Sequence, residues 1–159
     1  MRAAGVAAAS ARAHFQKMLA ATLLRAPPLQ TLRAWTRPMS IHLKTILNVI
    51  DNSGAKKLKV IDYFGRRPAT LGSAVRASVK EAKPDGRVSR KEIVAAVVVR
   101  QKAVHTRRDG TTVRFHENAA VLMKRDLSGP VGTRVTGPVA RELRQGKFMK
   151  VALMAPRVI

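Results

Sequence analysis

The sequence contains no cysteine among its 159 residues. This absence excludes disulfide bonds, thiolate catalysis and cysteine-ligated metals. Acidic residues are also scarce, since nine Asp or Glu stand against 31 Lys or Arg and the formal net charge is +22. A chain with this excess of positive charge repels itself unless a polyanion neutralises it. Nucleic acid or an anionic membrane surface is therefore the expected partner.

Long apolar runs and aromatic residues are missing too. The longest uncharged apolar run in the second half, residues 93–99, is too short to cross a bilayer, and only the N-terminal segment offers an amphipathic helix for a membrane surface. We therefore expect no membrane insertion. With only six aromatic residues, the chain has few platforms for stacking single-stranded bases, which favours recognition of the backbone and shape of folded RNA.

The N-terminal segment differs in composition from the rest of the chain. Residues 1–38 contain six Arg or Lys and no acidic residue, and residues 12–24 predict an amphipathic helix. This pattern is typical of an organelle transit peptide, and the alternative is a basic arm that stays on the protein and touches RNA. The remaining residues, 39–159, are the length of one small domain.

Residues 39–159 are dominated by short strand patterns with turn residues between them. Turns are predicted at residues 51–54 and 83–86 and, as a tight type I′ hairpin turn, at Asp109-Gly110. This spacing predicts a mainly β fold, a small antiparallel barrel. A short helix is predicted at residues 139–145, whereas residues 148–156 fit either a strand or a helix. The predicted strands cover residues 46–50, 58–63, 74–79, 93–99, 112–115 and 119–123.

No pattern indicates an enzyme. His42, His105 and His116 do not have metal-ligand spacing, and neither a nucleophile-elbow nor a phosphate-loop motif occurs. His105 precedes Asp109 by four residues, but Asp109 is explained by the turn, and His105 suits stacking on or donating to a phosphate. We therefore predict no catalytic residue, no metal, no cofactor and no small-molecule substrate.

The basic residues concentrate at turns and on the polar faces of strands, where few acids are available to pair with them. Lysine and arginine in such positions neutralise RNA phosphates and release counterions. The backbone N–H groups of the turn at Asn52 and Ser53 suit a phosphate as well. The predicted RNA-binding residues are Asn52, Ser53, Lys56, Lys57, Lys59, Arg66, Arg67, Lys80, Arg100, Lys102, His105, Arg107, Arg108 and Arg114.

The stretch from Ala96 to Leu122 resembles the signature region of the universal L-fourteen family of large-subunit ribosomal proteins. A small residue and three aliphatic residues are followed after nine residues by Asp-Gly, and after four more by Phe115. Further stretches agree in order, so the resemblance covers about residues 42–159. The sequence departs from the family where residues 62–76 are shorter than usual, where Ser73 replaces a common Asp, and where Lys91-Glu92 replaces Gly-Asp.

The resemblance implies a five-stranded antiparallel β-barrel with a C-terminal extension of loops and short helices, and a structural role in the large ribosomal subunit. It implies binding to large-subunit rRNA and to a neighbouring L-nineteen-type protein. It also implies bridges to small-subunit rRNA through Lys83, Arg87, Arg90 and Lys91. Docking of a ribosome-silencing factor is implied at Thr133, Arg134 and Lys150.

The leader at residues 1–38 is absent from bacterial members of the family. The resemblance therefore implies that the protein is located in the mitochondrial matrix. A free-standing organellar RNA-binding regulator built on the same barrel is the alternative.

Overall fold

The structure is a computed structural model that describes residues 40–65 and 68–159, and it is built mainly from strands. The predicted leader helix, Arg66 and Arg67 lie outside the described residues. Nowhere in those two ranges is a helix long and apolar enough to cross a membrane. The strands are β1 (Ile46–Val49), β2 (Ala55–Tyr63), β3 (Ala74–Ala82), β4 (Ile93–Arg100), β5 (His105–Thr106), β6 (Thr112–Val113), β7 (Ala119–Met123), β8 (Pro138–Val139) and β9 (Arg157–Val158).

Five of these strands close into a barrel in the order β1-β2-β3-β4-β7. Four of the neighbouring pairs are antiparallel, and the closing pair of β1 with β7 is parallel, with Asn48 opposite Ala119. The parallel pair has a simple cause. When an odd number of strands alternates in direction around a ring, the first and last strands must run the same way. The predicted small five-stranded β-barrel is thus confirmed.

β4 is apolar along nearly its whole length because it is buried on both faces. Val94, Ala96 and Val98 belong to the core inside the barrel, whereas Val97 and Val99 pack in a second core outside it. A strand covered on both faces needs no polar alternation. β3 differs, since its buried Val75, Ala77 and Val79 alternate with more exposed residues. The barrel therefore has one covered side and one open side.

The C-terminal extension covers the outer faces of β4 and β7. It contains a short 3-10 helix (Arg141–Arg144) and the helix α1 (Met149–Met154), and it contributes Leu143 and Val151 to the outer core. The helix predicted at residues 139–145 is shorter than expected because β8 pairs in parallel with β9. The undecided segment at residues 148–156 is largely helical.

The β5–β6 hairpin exists as predicted, but the type I′ turn was wrong. The Arg107 N–H donates to the Thr111 carbonyl at 2.8 Å and the Gly110 N–H to the Arg107 carbonyl at 3.1 Å, which leaves a three-residue loop of residues 108–110. Only Gly110 has a positive φ, of 79°, whereas a type I′ turn requires two such residues. A turn ending in one left-handed glycine satisfies the same Asp-Gly pattern.

Two positions that depart from the family pattern have clear local geometry. The Ser73 Oγ accepts a hydrogen bond from the Thr70 N–H at 3.1 Å, so the hydroxyl supports the turn before β3. Lys91 has a φ of 70°, a conformation that glycine adopts without steric strain, so the family's usual glycine suits this backbone.

Candidate nucleic-acid interface

The exposed sides of β2 and β3 carry a row of cations. Lys57 forms an ion pair with Glu81 across the strands at 2.8 Å. The other four cations of these strands, Lys56, Lys59, Arg76 and Lys80, have no acidic partner in the described part of the chain. We call the exposed cations of β2 and β3 the barrel cation row. Arg76 was not among the predicted residues, although its alternation with Val75 and Ala77 signalled an outward position.

Arg107, in contrast, is hydrogen-bonded to other groups of the protein. Its Nε donates to Glu142 Oε1 at 2.6 Å, its Nη2 donates to the Ile159 main-chain oxygen at 2.7 Å, and its side chain is only 12 % exposed. The hydrogen bond with Glu142 raises the pKa of Arg107 above its ordinary value. Burial is the largest single influence on Glu142 and acts to raise its pKa, but the Arg107 hydrogen bond, a backbone hydrogen bond and the charge of Arg107 together outweigh burial, so the pKa of the carboxyl is lowered. Arg107 therefore anchors the hairpin to the C-terminal extension, and its contact with rRNA stays a prediction.

The other hairpin cations remain free. Lys102, Arg108 and Arg114 are exposed, and no acidic partner for them occurs within residues 40–65 and 68–159. A cleft of about 480 Å³ lies between the hairpin and the 3-10 helix, and its lining includes His105, Arg108 and Arg141. Arg108 and Arg141 bring positive charge to a cleft that Asp109 and Glu142 also line.

His105 lines the cleft but forms no acid–base pair with Asp109. Its Nε2 lies 3.8 Å from Glu142 Oε1, and that carboxylate is already bound by Arg107. No group of three acidic or histidine side chains that could hold a metal occurs in the ranges that the structure covers.

Arg100 is likewise an internal contact. Its Nη1 donates to Glu117 Oε1 at 2.6 Å, its Nε donates to the Pro138 carbonyl at 2.7 Å, and its side chain is 11 % exposed. The guanidinium also donates to the Thr136 carbonyl. Arg100 therefore ties the end of β4 to the start of the C-terminal extension, and its direct contact with rRNA stays a prediction.

The turn between β1 and β2 holds neighbouring loops instead of offering an open phosphate cradle. Ser53 is fully buried, and both its N–H and its hydroxyl donate to Asp51, so this N–H is already bound within the turn. Asn52 Oδ1 accepts from the N–H groups of Thr133 and Arg134 at 2.8 and 3.2 Å. Sequence could not reveal this, because the partners lie about eighty residues away.

The loop of residues 83–91 is fastened to the same turn. The Lys83 N–H donates to the Gly54 carbonyl and the Arg87 N–H to the Ser53 carbonyl, both at 2.8 Å. The approach is so close that a Cβ on Gly54 would lie 2.4 Å from the Gly86 Cα. The Arg87 guanidinium also donates to the Val131 carbonyl at 2.7 Å. The three loops of residues 51–54, 83–91 and 131–134 thus form one connected surface, which we call the loop platform.

The residues predicted to dock a silencing factor lie on or beside this platform. Thr133 and Arg134 are exposed in the loop that Asn52 holds. Lys150, on α1, is exposed, and its Nζ contacts the Ser128 carbonyl at 3.4 Å, at the start of the same loop segment. The predicted bridge residues Lys83, Arg90 and Lys91 are exposed as well.

Comparison with known proteins identifies the family. A sequence model of the family described as ribosomal protein L14p/L23e matches residues 40–159, which is most of the chain. The chain belongs to the ribosomal protein L14p/L23e family. A large ribosomal subunit protein uL14 from Solibacter usitatus (strain Ellin6076) is 51 % identical to it over 123 residues, covering 75 % of this chain and 99 % of the relative.

Membership of the L14p/L23e family makes the chain a structural protein of the large ribosomal subunit and not an enzyme. The structure divides the residues predicted for rRNA binding in this L14p/L23e protein into two groups. Those turned inward or bound to other protein groups are Asn52, Ser53, Arg100 and Arg107. Those with solvent-accessible side chains are Lys56, Lys57, Lys59, Lys80, Lys102, His105, Arg108 and Arg114.

Proposed function

We propose that this L14p/L23e protein binds large-subunit rRNA through the barrel cation row and the free cations of the β5–β6 hairpin, as a constituent of the mitochondrial ribosome. One observation carries the proposal. The outer faces of β4 and β7 lie under the C-terminal extension, whereas the outer faces of β2 and β3 are open, and only Lys57 of their cations has an acidic partner among the described residues.

Phosphate neutralisation supplies the binding energy. Each Lys or Arg that meets a phosphate releases condensed counterions, so affinity falls steeply as salt rises. The lysines of the barrel cation row stand on paired strands about 4.8 Å apart, so their spacing is set before RNA arrives. A fixed array of charges reads the shape of folded RNA and not its base sequence.

Arg100, Arg107 and Asn52 support this surface through contacts within the protein. They hold the hairpin and the loop platform in place through protein acceptors. Their contribution to RNA binding is therefore positional. His105 belongs to the cleft beside Arg108, where an imidazole can donate to a phosphate. Arg66 and Arg67 lie outside the described residues, and their proposed contact with rRNA rests on the sequence.

The loop platform is proposed to form the bridge to small-subunit rRNA. Lys83, Arg87, Arg90 and Lys91 supply the charge, and the hydrogen bonds to Gly54, Ser53 and Val131 brace the backbone that carries them. A braced loop loses little conformational entropy when it binds a second RNA surface. This supports a role in joining subunits.

Two protein contacts are part of the proposal. A ribosome-silencing factor would dock on Thr133, Arg134 and Lys150, which are exposed on or beside the loop platform. An L-nineteen-type ribosomal protein would pack against the chain, and this partner rests on the family resemblance. The mitochondrial assignment rests on the acid-free, basic composition of residues 1–38.

The test is the salt dependence of rRNA binding by a charge-neutralised variant. Lys56, Lys59 and Lys80 are replaced together by Gln, and affinity for a large-subunit rRNA fragment is measured over a range of salt concentrations. Three lost phosphate contacts should make the log–log slope shallower by about 2 to 3.

A matched control neutralises Arg144, Lys147 and Arg157, which are exposed in the C-terminal extension, so that both variants lose the same net charge. Equal losses of slope in the two variants would mean that net charge alone drives binding, and would contradict a specific surface.

A further inference from the structure

We infer that a cleft at the rim of the barrel binds one unstacked RNA base. Of the residues given a role in RNA binding above, only Arg76 of the barrel cation row lines this cleft. The inference rests on the proposed binding of rRNA and names a specific site within it. The cleft has a volume of about 360 Å³, and its lining includes Phe64, Arg76, Ile93 and Arg125. This volume lies in the range of about 300–1,000 Å³ that is common for small-ligand sites.

Strand register explains why the cleft exists. Arg76 of β3 stands opposite Ala95 of β4, and Ala95 stands opposite Met123 at the end of β7. The Phe64 N–H donates to the Ala74 carbonyl at 3.2 Å, which places Phe64 beside the start of β3. The methyl side chain of Ala95 leaves an open floor, while the longer side chains of neighbouring strands form the walls.

The walls of the cleft match a base and its phosphates. The Arg76 guanidinium carbon lies 5.2 Å from the centroid of the Phe64 ring, within the cation–π range of about 6 Å. Phe64 remains 41 % exposed and Ile93 53 % exposed, so apolar surface is still available. An unpaired base can extend the existing stack of guanidinium on ring, as bases do on aromatic and arginine planes in RNA complexes.

Charge favours an RNA strand over a neutral or basic protein partner. Arg76 and Arg125 both line the cleft, and none of its lining residues in the described ranges is acidic, so phosphates on either side of a bound base would meet two cations. Phe64 is also the one exposed aromatic side chain within the described residues. The scarcity of aromatic residues argued against an extended stacking platform, but one ring is enough for one base.

The experiment uses the full chain and a single-stranded oligoribonucleotide that carries the fluorescent base 2-aminopurine. Stacking should quench its fluorescence on binding. Replacing Phe64 by Leu should remove the quenching and weaken affinity by about 5- to 150-fold, without changing the slope of affinity against salt. Replacing Arg76 by Gln should instead make that slope shallower by about 0.7, because a phosphate contact is lost.

Three further variants separate stacking from general damage. Phe64→Tyr retains an aromatic ring and should restore both quenching and affinity. Ala95→Met fills the floor without changing charge and should abolish quenching, with the melting temperature checked for loss of packing. Ile46→Ala removes an exposed apolar side chain of β1 outside the cleft and should leave both readouts unchanged.

Wild-type quenching and affinity in Phe64→Leu would overturn the base-binding site while leaving the proposed rRNA binding intact. If Phe64→Leu kept wild-type RNA binding but was excluded from large-subunit particles, the cleft would hold a protein and the inference would also be wrong. Failure of the wild-type chain to bind RNA at all would contradict the proposed function, and this site with it.

Discussion

At the scale of single residues, adjacent arginines have opposite roles. Arg107 and Arg108 are neighbours in one basic stretch, yet Arg107 is bound to Glu142 and the Ile159 main-chain oxygen, whereas Arg108 is exposed at the hairpin loop. The difference arises from a carboxylate thirty-five residues away. The number of positive charges in a sequence therefore overstates the number that can meet RNA.

The Arg107–Glu142 contact makes stability depend on pH in a defined direction. The folded-state pKa of Glu142 is lowered, so its contribution is present above the ordinary carboxyl pKa of about 4.3 and is lost as pH falls through the lower folded value. We expect Glu142→Gln to reduce the free energy of unfolding by about 1.5–3 kcal/mol near neutral pH. The difference from wild type should shrink below about pH 4.

Chemical denaturation of both proteins across this pH range checks the prediction. Glu81→Gln is the matched control, because the exposed Lys57–Glu81 pair should contribute only about 0–1 kcal/mol. A stability difference between wild type and Glu142→Gln that stays constant into acid would show that ionisation of this carboxyl is not involved.

Residue-scale prediction from sequence was limited by partners distant in the chain. The exposed Lys56, Lys80 and Arg108 were identified because they stand in turns or on alternating strands. The contacts of Ser53 and Asn52 inside the protein could not be predicted, since a turn sequence reveals its backbone shape but not whether its polar groups face water or a neighbouring loop. Phe64 and Arg125 had no periodic pattern that would join them.

At the scale of elements, sequence patterns predicted which strands and turns exist better than they predicted turn types and helix ends. The unbroken apolar run of β4 indicated burial, and the alternation in β3 indicated one open face. The hairpin at Asp109-Gly110 was correct in position and wrong in turn type, because two loop lengths share the same Asp-Gly signal. The helix predicted at residues 139–145 was too long, because local periodicity does not reveal the pairing of β8 with β9.

The hairpin loop predicts a strain effect at Gly110. Its φ is 79°, so Gly110→Val places a β-branched residue in a left-handed conformation and should destabilise the fold by about 1–3 kcal/mol. Gly129→Val is a matched control, because a Cβ meets no atom within 4 Å at either position and Gly129 is not among the positive-φ glycines. Thermal melts that fall equally for both variants would reject the left-handed loop.

Separate replacement of the two hairpin arginines distinguishes support from contact. Arg107→Gln should lower the free energy of unfolding by about 1.5–3 kcal/mol, because it leaves Glu142 without its cation. Arg108→Gln should change stability by less than about 0.5 kcal/mol. It should also make the salt slope of rRNA binding shallower by about 0.7 to 0.9. Chemical denaturation and RNA titration of both variants test these roles. If Arg108→Gln lost stability and Arg107→Gln changed only the salt slope, Arg108 would be the supporting residue and Arg107 the RNA contact.

At the scale of the whole molecule, the position of the C-terminal extension determines which cations are exposed. A five-stranded ring with a C-terminal extension on one side leaves only part of the barrel open to a partner. The cations of β2, β3, the hairpin and the loop platform occupy open surface, and the acids that pair with Arg100 and Arg107 tie the covered side together. The chain can carry a large net positive charge because its polyanionic partner is part of its working environment.

The most direct test of this role is sedimentation of the native protein. Cells of the source organism are lysed at low magnesium, where ribosomal subunits separate, and a sucrose gradient of the lysate is probed for this chain and for large-subunit rRNA. We expect the chain to migrate with the large subunit and to remain there after the subunits part. Recovery in light fractions only, free of large-subunit rRNA, would contradict a structural role and would indicate a free RNA-binding regulator built on the same barrel.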